Sequence, residues 1–234
     1  LVDSTALLEQ ATDDIIIAAF TVQVKDAVHE GFIRQEEIAD NLIELLKGAM
    51  AELEIGNPEN FSVDIGPVIN EQAREMLMRH IEHMNENAKL IFKTKMQNLT
   101  NGFYIAPHLY EIKNINELKQ ENFGPILHLL RFKTNDIDKV INDINATGYG
   151  LTFGIHSRIE SRINYISKRI NAGNIYINRN ITGAIVGVQP FGGMGLSGTG
   201  PKAGGPNYLK AFMSEKNTSN NITAIGGNLD LLSN

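Results

Sequence analysis

Apolar residues recur at helical spacing in several windows of the chain and at strand-like density between them. Leu1-Val2 reads as the end of a strand. A helix should follow, with Ala6, Leu7, Ala11, Ile15, Ala18 and Ala19 on one stripe and Asp3 or Ser4 as its N-cap. Residues 36–53 place Ile38, Leu42, Leu45, Leu46, Ala49, Met50 and Leu53 on one face, and Gly56-Asn57-Pro58 ends the pattern. Residues 71–86 repeat it with Ala73, Met76, Leu77, Ile81 and Met84, and residues 136–145 with Ile137, Val140, Ile141 and Ile144. A further helix is expected over 160–170 and a short one over 207–213. Strands are expected at 90–92, 103–110, 126–132, 153–156 and 174–178, with Asn101-Gly102 as a turn. Strands alternating with helices of this length imply crossover connections, hence an α/β fold with a mostly parallel sheet and flanking helices.

One stretch breaks the alternation. Thr182 to Pro206, TGAIVGVQPFGGMGLSGTGPKAGGP, contains nine glycines and prolines at 190, 201 and 206. A flexible linker has such a composition, but linkers lack bulky apolar residues. This stretch carries Ile185, Val186, Val188, Phe191 and Leu196 among its glycines. The pattern favours a compact loop whose backbone takes positive-φ turns and approaches a ligand closely.

Composition narrows the classes. A chain of 234 residues is long enough to bury roughly 70–75% of its unfolded surface. The net charge of −6 gives no broad basic face for nucleic acid. No window approaches the roughly 20 apolar residues of a membrane span, and the start, LVDSTALLEQATDD, lacks the basic and apolar regions of a signal peptide. The chain has no initiator Met and begins mid-pattern, as a fragment or processed chain would. Cysteine is absent, which excludes disulfides and thiolate metal sites and fits a reducing, cytoplasmic location. His80 and His83 are three apart on the 71–86 helix; with no further ligand set evident, they read as solvated surface rather than metal ligands.

The run GNIYINRNITGAIVGVQPFGGMGLSGTGPKAGGP, Gly173 to Pro206, resembles the C-terminal part of the aldehyde dehydrogenase superfamily. More narrowly, it is similar to the L-glutamate γ-semialdehyde (Δ1-pyrroline-5-carboxylate) dehydrogenase module of the bifunctional proline utilisation A family. Glu121-Asn122-Phe123-Gly124-Pro125, Asp64-Ile65-Gly66-Pro67 and Asn145-Ala146-Thr147-Gly148-Tyr149-Gly150-Leu151 match further family motifs, and Pro107-His108 a segment in which His108 is structural. The resemblance implies an NAD-dependent oxidation of glutamate γ-semialdehyde to glutamate in proline catabolism. Backbone N–H groups at Gly183 and Ala184 would face the substrate carboxylate, and Phe191 would wall its aliphatic chain. Glu121 would accept hydrogen bonds from the nicotinamide ribose, beside Phe123. Taken alone, Glu121 is equally a helix-end carboxylate before a turn, and Phe191 ordinary core.

The resemblance has gaps. The family's catalytic Cys falls in a Gly-Gln-Arg-Cys loop, whereas residues 21–35 read TVQVKDAVHEGFIRQ, and Thr21 has no activating base near it in sequence. The motif carrying the general base would precede Leu1, as would the N-terminal Rossmann-like NAD domain. The implied cofactor is therefore NAD, with only its nicotinamide end represented, and the chain alone is expected to be inactive. The expected organisation is a catalytic-domain-like unit over 1–180, the Gly-rich anchor loop with its short helix over 181–213, and an oligomerisation tail over 214–234. In that tail Ile222-Thr223-Ala224-Ile225 is strand-like; the alternative is a disordered tail. Expected partners are a small-molecule substrate and either a second copy, the missing half, or a full-length dehydrogenase for which the chain is a non-catalytic assembly or carboxylate-binding module. A phosphate-binding loop is the remaining reading, but Lys202 is followed by Ala203 where a Ser or Thr is needed.

Overall fold

In the computed structural model, which describes residues 1–21, 31–118, 120–183, 185, 187–198 and 200–221, the chain is organised by a sheet buried on both faces. Its strands are β1 (Gly31–Gln35), β2 (Lys89–Lys93), β3 (His108–Glu111) and β4 (Ile126–Phe132), in the order β1-β4-β3-β2. β4 pairs in parallel with both β1 and β3, and β2 closes the edge antiparallel to β3.

Side chains on a strand alternate between faces. On β4 and β3, Leu127, Leu129 and Leu109 point one way. They join Leu42, Leu46 and Met50 of α2 (Ala39–Ala51) and Ala11 and Ile15 of α1 (Leu8–Ile16) in one core. Ile126 and Tyr110 point the other way, onto Leu77, Ile81 and Met84 of α3 (Glu71–Asn87). The result is three layers, helix on sheet on helix. Leu42, Leu46 and Leu77 are fully buried, each contributing roughly 1.5–3 kcal/mol over an exposed position.

A third core lies beyond the end of β4. Phe132 meets Val140 and Ile141 of α4 (Ile137–Ala146), Ile166 of α5 (Glu160–Ser167) and Ile155 of β6 (Thr152–Ile155). β6 pairs in parallel with β7 (Asn174–Ile177). The short β5 (Tyr149–Gly150) pairs antiparallel with β8 (Met194–Gly195), which belongs to the Gly-rich stretch.

A buried polar seam joins the two ends of this assembly. Val2 bridges to His156, and Asp3 is 1% exposed. Its carboxylate accepts from the hydroxyls of Ser157 and Thr5, from the Thr5 N–H and from Arg162. Burial alone would raise its pKa; the Ser157 and Thr5 hydrogen bonds and the Arg162 charge outweigh that and hold it below the usual carboxylate value. Gln35 extends the seam, donating to Thr134 and accepting from the Ser4 N–H and Arg162.

Several expectations are corrected. Asp3 and Ser4 do not cap α1: its N-cap is Leu7, without a side-chain cap bond, because Asp3 is consumed by the seam. On α2, Leu45 faces outward and Ile43 inward: the buried stripe is Ala39, Leu42, Ile43, Leu46 and Met50, at i, i+3, i+4, i+7 spacing. The strand expected over 103–110 starts only at His108, and the helix over 207–213 is a 3-10 turn, Leu209–Phe212. The strand-like Ile222-Thr223-Ala224-Ile225 and most of residues 21–35 lie outside the described residues.

His80 is also not solvated surface. It is half-buried, and its Nε2 lies 2.8 Å from Nε2 of buried His128 on β4, the rings edge to face. One imidazole donates and the other accepts, so protonation of the accepting Nε2 would set two donors face to face. Burial, and secondarily the charge of His83, pull the His80 pKa down from 6.5 to about 4. The folded value lies below the unfolded one, so between those pH values the unfolded chain binds more protons and stability falls as pH drops. We expect the urea midpoint of the wild-type chain to decline from pH 6.5 to pH 4. His80→Gln, which keeps a donor and acceptor, should give a shallower decline. His156, also lowered to about 4, His108 and the buried Leu1 amino group add slope of the same sign, which His80→Gln leaves in place. An unchanged slope in His80→Gln would refute the assignment to this pair.

Candidate functional site

The Gly-rich stretch is an ordered structure docked on β5, β6 and β7, not a linker. Leu196 N–H donates to Gly148 O at 2.9 Å, and the Ser197 hydroxyl accepts from Gly150 N–H at 3.0 Å. Phe191 and Ala203 exchange two backbone hydrogen bonds, closing a hairpin-like turn. Asn174 grips the turn from both sides, donating to Pro190 O and accepting from Gly192 N–H. The Lys202 amine donates to Gly173 O, so it is spent on backbone and the phosphate-loop reading loses its lysine.

Close backbone approach explains the glycines that matter. A Cβ on Gly173 would stand on the Gly192 carbonyl oxygen, and one on Gly150 on the Asn171 carbonyl oxygen. Gly183 and Gly187 differ: among the described residues, a Cβ there would meet nothing within 4 Å. Gly183 is exposed with φ +43°, a left-handed conformation that glycine adopts at low cost. The face of the loop at Gly183 is open, while its back is packed.

What holds Gly183 is the segment before it. Asn178, also at positive φ (52°), accepts from Ser157 N–H and donates to Ser157 O, both at 2.9 Å. The Asn180 carboxamide oxygen accepts from the N–H and hydroxyl of Thr182. The buried Tyr176 of β7 donates its hydroxyl to Gly183 O at 3.0 Å, and the Arg179 guanidinium lies 4.8 Å from its ring centre. Phe191 is half-buried at the hairpin-like turn. Ala184 lies outside the described residues.

Glu121 and Phe123 lie half-buried in the extended segment that runs directly into β4. Among the described residues, no hydrogen bond or ion pair engages the Glu121 carboxylate, so both oxygens are free to accept. Gly124 is seated hard against α3: a Cβ there would overlap both terminal carbons of Leu77. His108 is buried, with Nδ1 2.7 Å from Ala106 O and its ring stacked on Tyr110, a structural position.

Between these parts is a cavity of about 170 Å³. Leu118 and Leu127, which flank the Glu121–Phe123 segment, and Ile181, just before Gly183, contribute to its wall; Glu121, Phe123, Gly183 and Phe191 do not line it. The structure gives no direct contact between the two halves of the predicted site among the described residues. Asp14, His156, Arg179 and Asn180 are among the polar residues of the lining. Burial raises the Asp14 pKa, partly offset by hydrogen bonding from Asn180. Burial, and secondarily the amino terminus, lower His156 to about 4, so its 3.7 Å contact with Asp14 joins a neutral ring at pH 7.

Sequence reasoning assigned no role to Tyr176, Asn178 or Asn180. Their signal was present in the NxYxNRN motif, but as a mark of kinship rather than as a clamp.

Residues 1–218 match the aldehyde dehydrogenase family, and the chain belongs to that family. It is 44% identical over 223 residues to the Bifunctional protein PutA of Klebsiella aerogenes, covering 92% of this chain and 17% of that protein. It is 34% identical over 222 residues to the 1-pyrroline-5-carboxylate dehydrogenase of Bacillus subtilis (strain 168), covering 94% and 42%. Among solved structures, a mutant of Bradyrhizobium japonicum Proline Utilization A (PutA) matches with a TM-score of 0.85 and 44% identity over 90% of this chain and 22% of that one. A mutant of Thermus thermophilus 1-pyrroline-5-carboxylate dehydrogenase matches with a TM-score of 0.82 and 32% identity over 90% and 41%. The chain therefore spans less than half the length of each of these relatives.

The glycine contacts give a paired test. Gly124→Ala overpacks the α3 contact and should destabilise the chain by roughly 1–3 kcal/mol in urea unfolding. Gly48→Ala, inside α2 with nothing within 4 Å of the new Cβ, should stabilise it by about 0.5–1 kcal/mol. Equal effects would refute the distinction between a packed and a free glycine.

Proposed function

We propose that the chain is the substrate-anchor and nicotinamide-facing part of an NAD-dependent L-glutamate γ-semialdehyde (1-pyrroline-5-carboxylate) dehydrogenase acting in proline catabolism. The observation that carries this reading is the loop at Gly183: exposed, left-handed, clear of side chains on its front and clamped from behind. A carboxylate arriving there meets backbone, and successive N–H groups form a concavity suited to an anion. Gly183 and Ala184 are the donors in this reading, and Phe191 shields the aliphatic chain. The names of the relatives support the substrate class. The division into a catalytic-domain-like unit (1–180), anchor loop (181–213) and oligomerisation tail (214–234) belongs to the same proposal.

On the cofactor side, Glu121 fits a ribose: its carboxylate is unengaged among the described residues and has the capacity to accept from two vicinal hydroxyls. Phe123 stands beside it. NAD, when bound, supplies the hydride acceptor. The sequence contains no cysteine, and the family's covalent route needs a thiolate. Loss of a nucleophile costs on the order of 10⁶ in kcat, so the chain by itself has no aldehyde oxidation activity in this reading.

Titration calorimetry of glutamate into the purified chain should detect binding that Gly183→Trp abolishes, with no NADH formed from glutamate semialdehyde. Binding unaffected by Gly183→Trp would sink the anchor assignment; NADH formation would sink the inactivity.

A second reading, a non-catalytic assembly module, is favoured by exposed apolar side chains near the loop and the C-terminal turn: Leu196, Leu209, Phe212 and Met213 are each more than 70% exposed. Light scattering should then give a mass at least twice that of the 25.9 kDa chain, and a strict monomer would count against it.

A further inference from the structure

The anchor needs its peptide planes held, because a backbone N–H binds an anion only while it points at it. We propose that the Tyr176 hydroxyl is the positioning group of the carboxylate anchor, acting through the Gly183 carbonyl. This assignment rests on the reading of Gly183 as part of that anchor.

Tyr176 is third in β7, in register with Gly154 of β6, so its backbone is fixed by the parallel pair. Its ring is 5% exposed and lies beneath the Arg179 guanidinium. From this rigid base the hydroxyl reaches over the turn that follows and donates to Gly183 O at 3.0 Å. The turn itself is closed at both ends, by the two Asn178–Ser157 hydrogen bonds and by Asn180 on Thr182. Ile181 is pressed so tightly on β6 that a Cβ on Gly154 would lie 2.5 Å from its Cγ2. Past Thr182 this support stops. Gly183 is exposed and no described atom lies within 4 Å of its Cβ position; among the described residues, the phenol is the side chain that holds its carbonyl.

A peptide unit is planar, and fixing its carbonyl direction fixes the whole plane. A glycine without such a tether explores both signs of φ. Tyr176 therefore selects, from the wide range open to Gly183, the one orientation of the following peptide that the anchor uses. The ring's packing serves the fold; the hydroxyl serves the anchor.

Tyr176→Phe separates these roles, since it keeps the ring and removes only the donor. Loss of one hydrogen bond of this kind corresponds to roughly a 2–10-fold change in an equilibrium constant. Glutamate titrated into the Tyr176→Phe chain should bind about 2–10-fold more weakly than into wild type. In the absence of glutamate, hydrogen exchange over residues 178–191 should be faster in the variant, with β3 and β4 unchanged. Equal glutamate affinity, or equal exchange across 178–191, overturns the assignment while leaving the anchor itself intact. Absence of glutamate binding by the wild-type chain is the distinct failure: it removes the anchor reading and the role of Tyr176 with it. Faster exchange throughout β3 and β4 would make the hydroxyl a general stability element and likewise overturn the proposal.

Discussion

Contact between bare backbones is the constraint on which the candidate site depends. At Gly173 the loop meets the start of β7, at Gly193 it folds onto its own Ser197, and at Gly150 the strand beneath meets Asn171, each more closely than any side chain permits. The loop is thereby held by carbonyls, amides and a few side-chain caps, with little apolar burial to stabilise it. Its own apolar residues, Ile185, Val188 and Leu196, point away and remain exposed. Such an arrangement gives positional accuracy without a hydrophobic core, and it leaves the front of the loop free for a ligand.

The layers beneath supply the rigidity the loop lacks. Strict alternation along β4 sends Leu127 and Leu129 to α1 and α2, and Ile126 and His128 to α3. The segment bearing Glu121 and Phe123 enters that strand directly, with Gly124 wedged on Leu77. The same three-layer packing therefore orients one half of the candidate site, while the β6–β7 pair orients the other.

Much of this was legible in the sequence. Long amphipathic helices announce themselves because burial alone decides their faces, and α2, α3 and α4 lie close to where periodicity put them. What was illegible is polar and non-local. Asp3 reads as a helix cap until its partners Ser157 and Arg162 are known, and these lie more than 150 residues away. His80 reads as surface until His128 is placed opposite it. The glycine stretch was recognisable as a compact loop rather than a linker, but nothing in its spacing distinguishes Gly173, which meets a neighbour's carbonyl, from Gly183, whose Cβ position meets no described atom. Tyr176 was hidden for a similar reason, since an aromatic residue in a strand signals packing first.

The seam around Asp3 has a further consequence, for the order of events during synthesis. Val2 and Asp3 find their partners at His156, Ser157 and Arg162, so they stay unsatisfied until residues more than 150 positions later have been made. Until then a carboxylate destined for burial stays hydrated. The apolar partners of the α1–α2 and α3 layers lie within the first 132 residues, so these layers can form earlier. Contacts of such long separation slow folding, because loop closure must precede any reward from the contact. The nascent chain would thus carry a formed sheet with an open seam, and docking of the β6–β7 pair would close the seam and seat the loop in the same step.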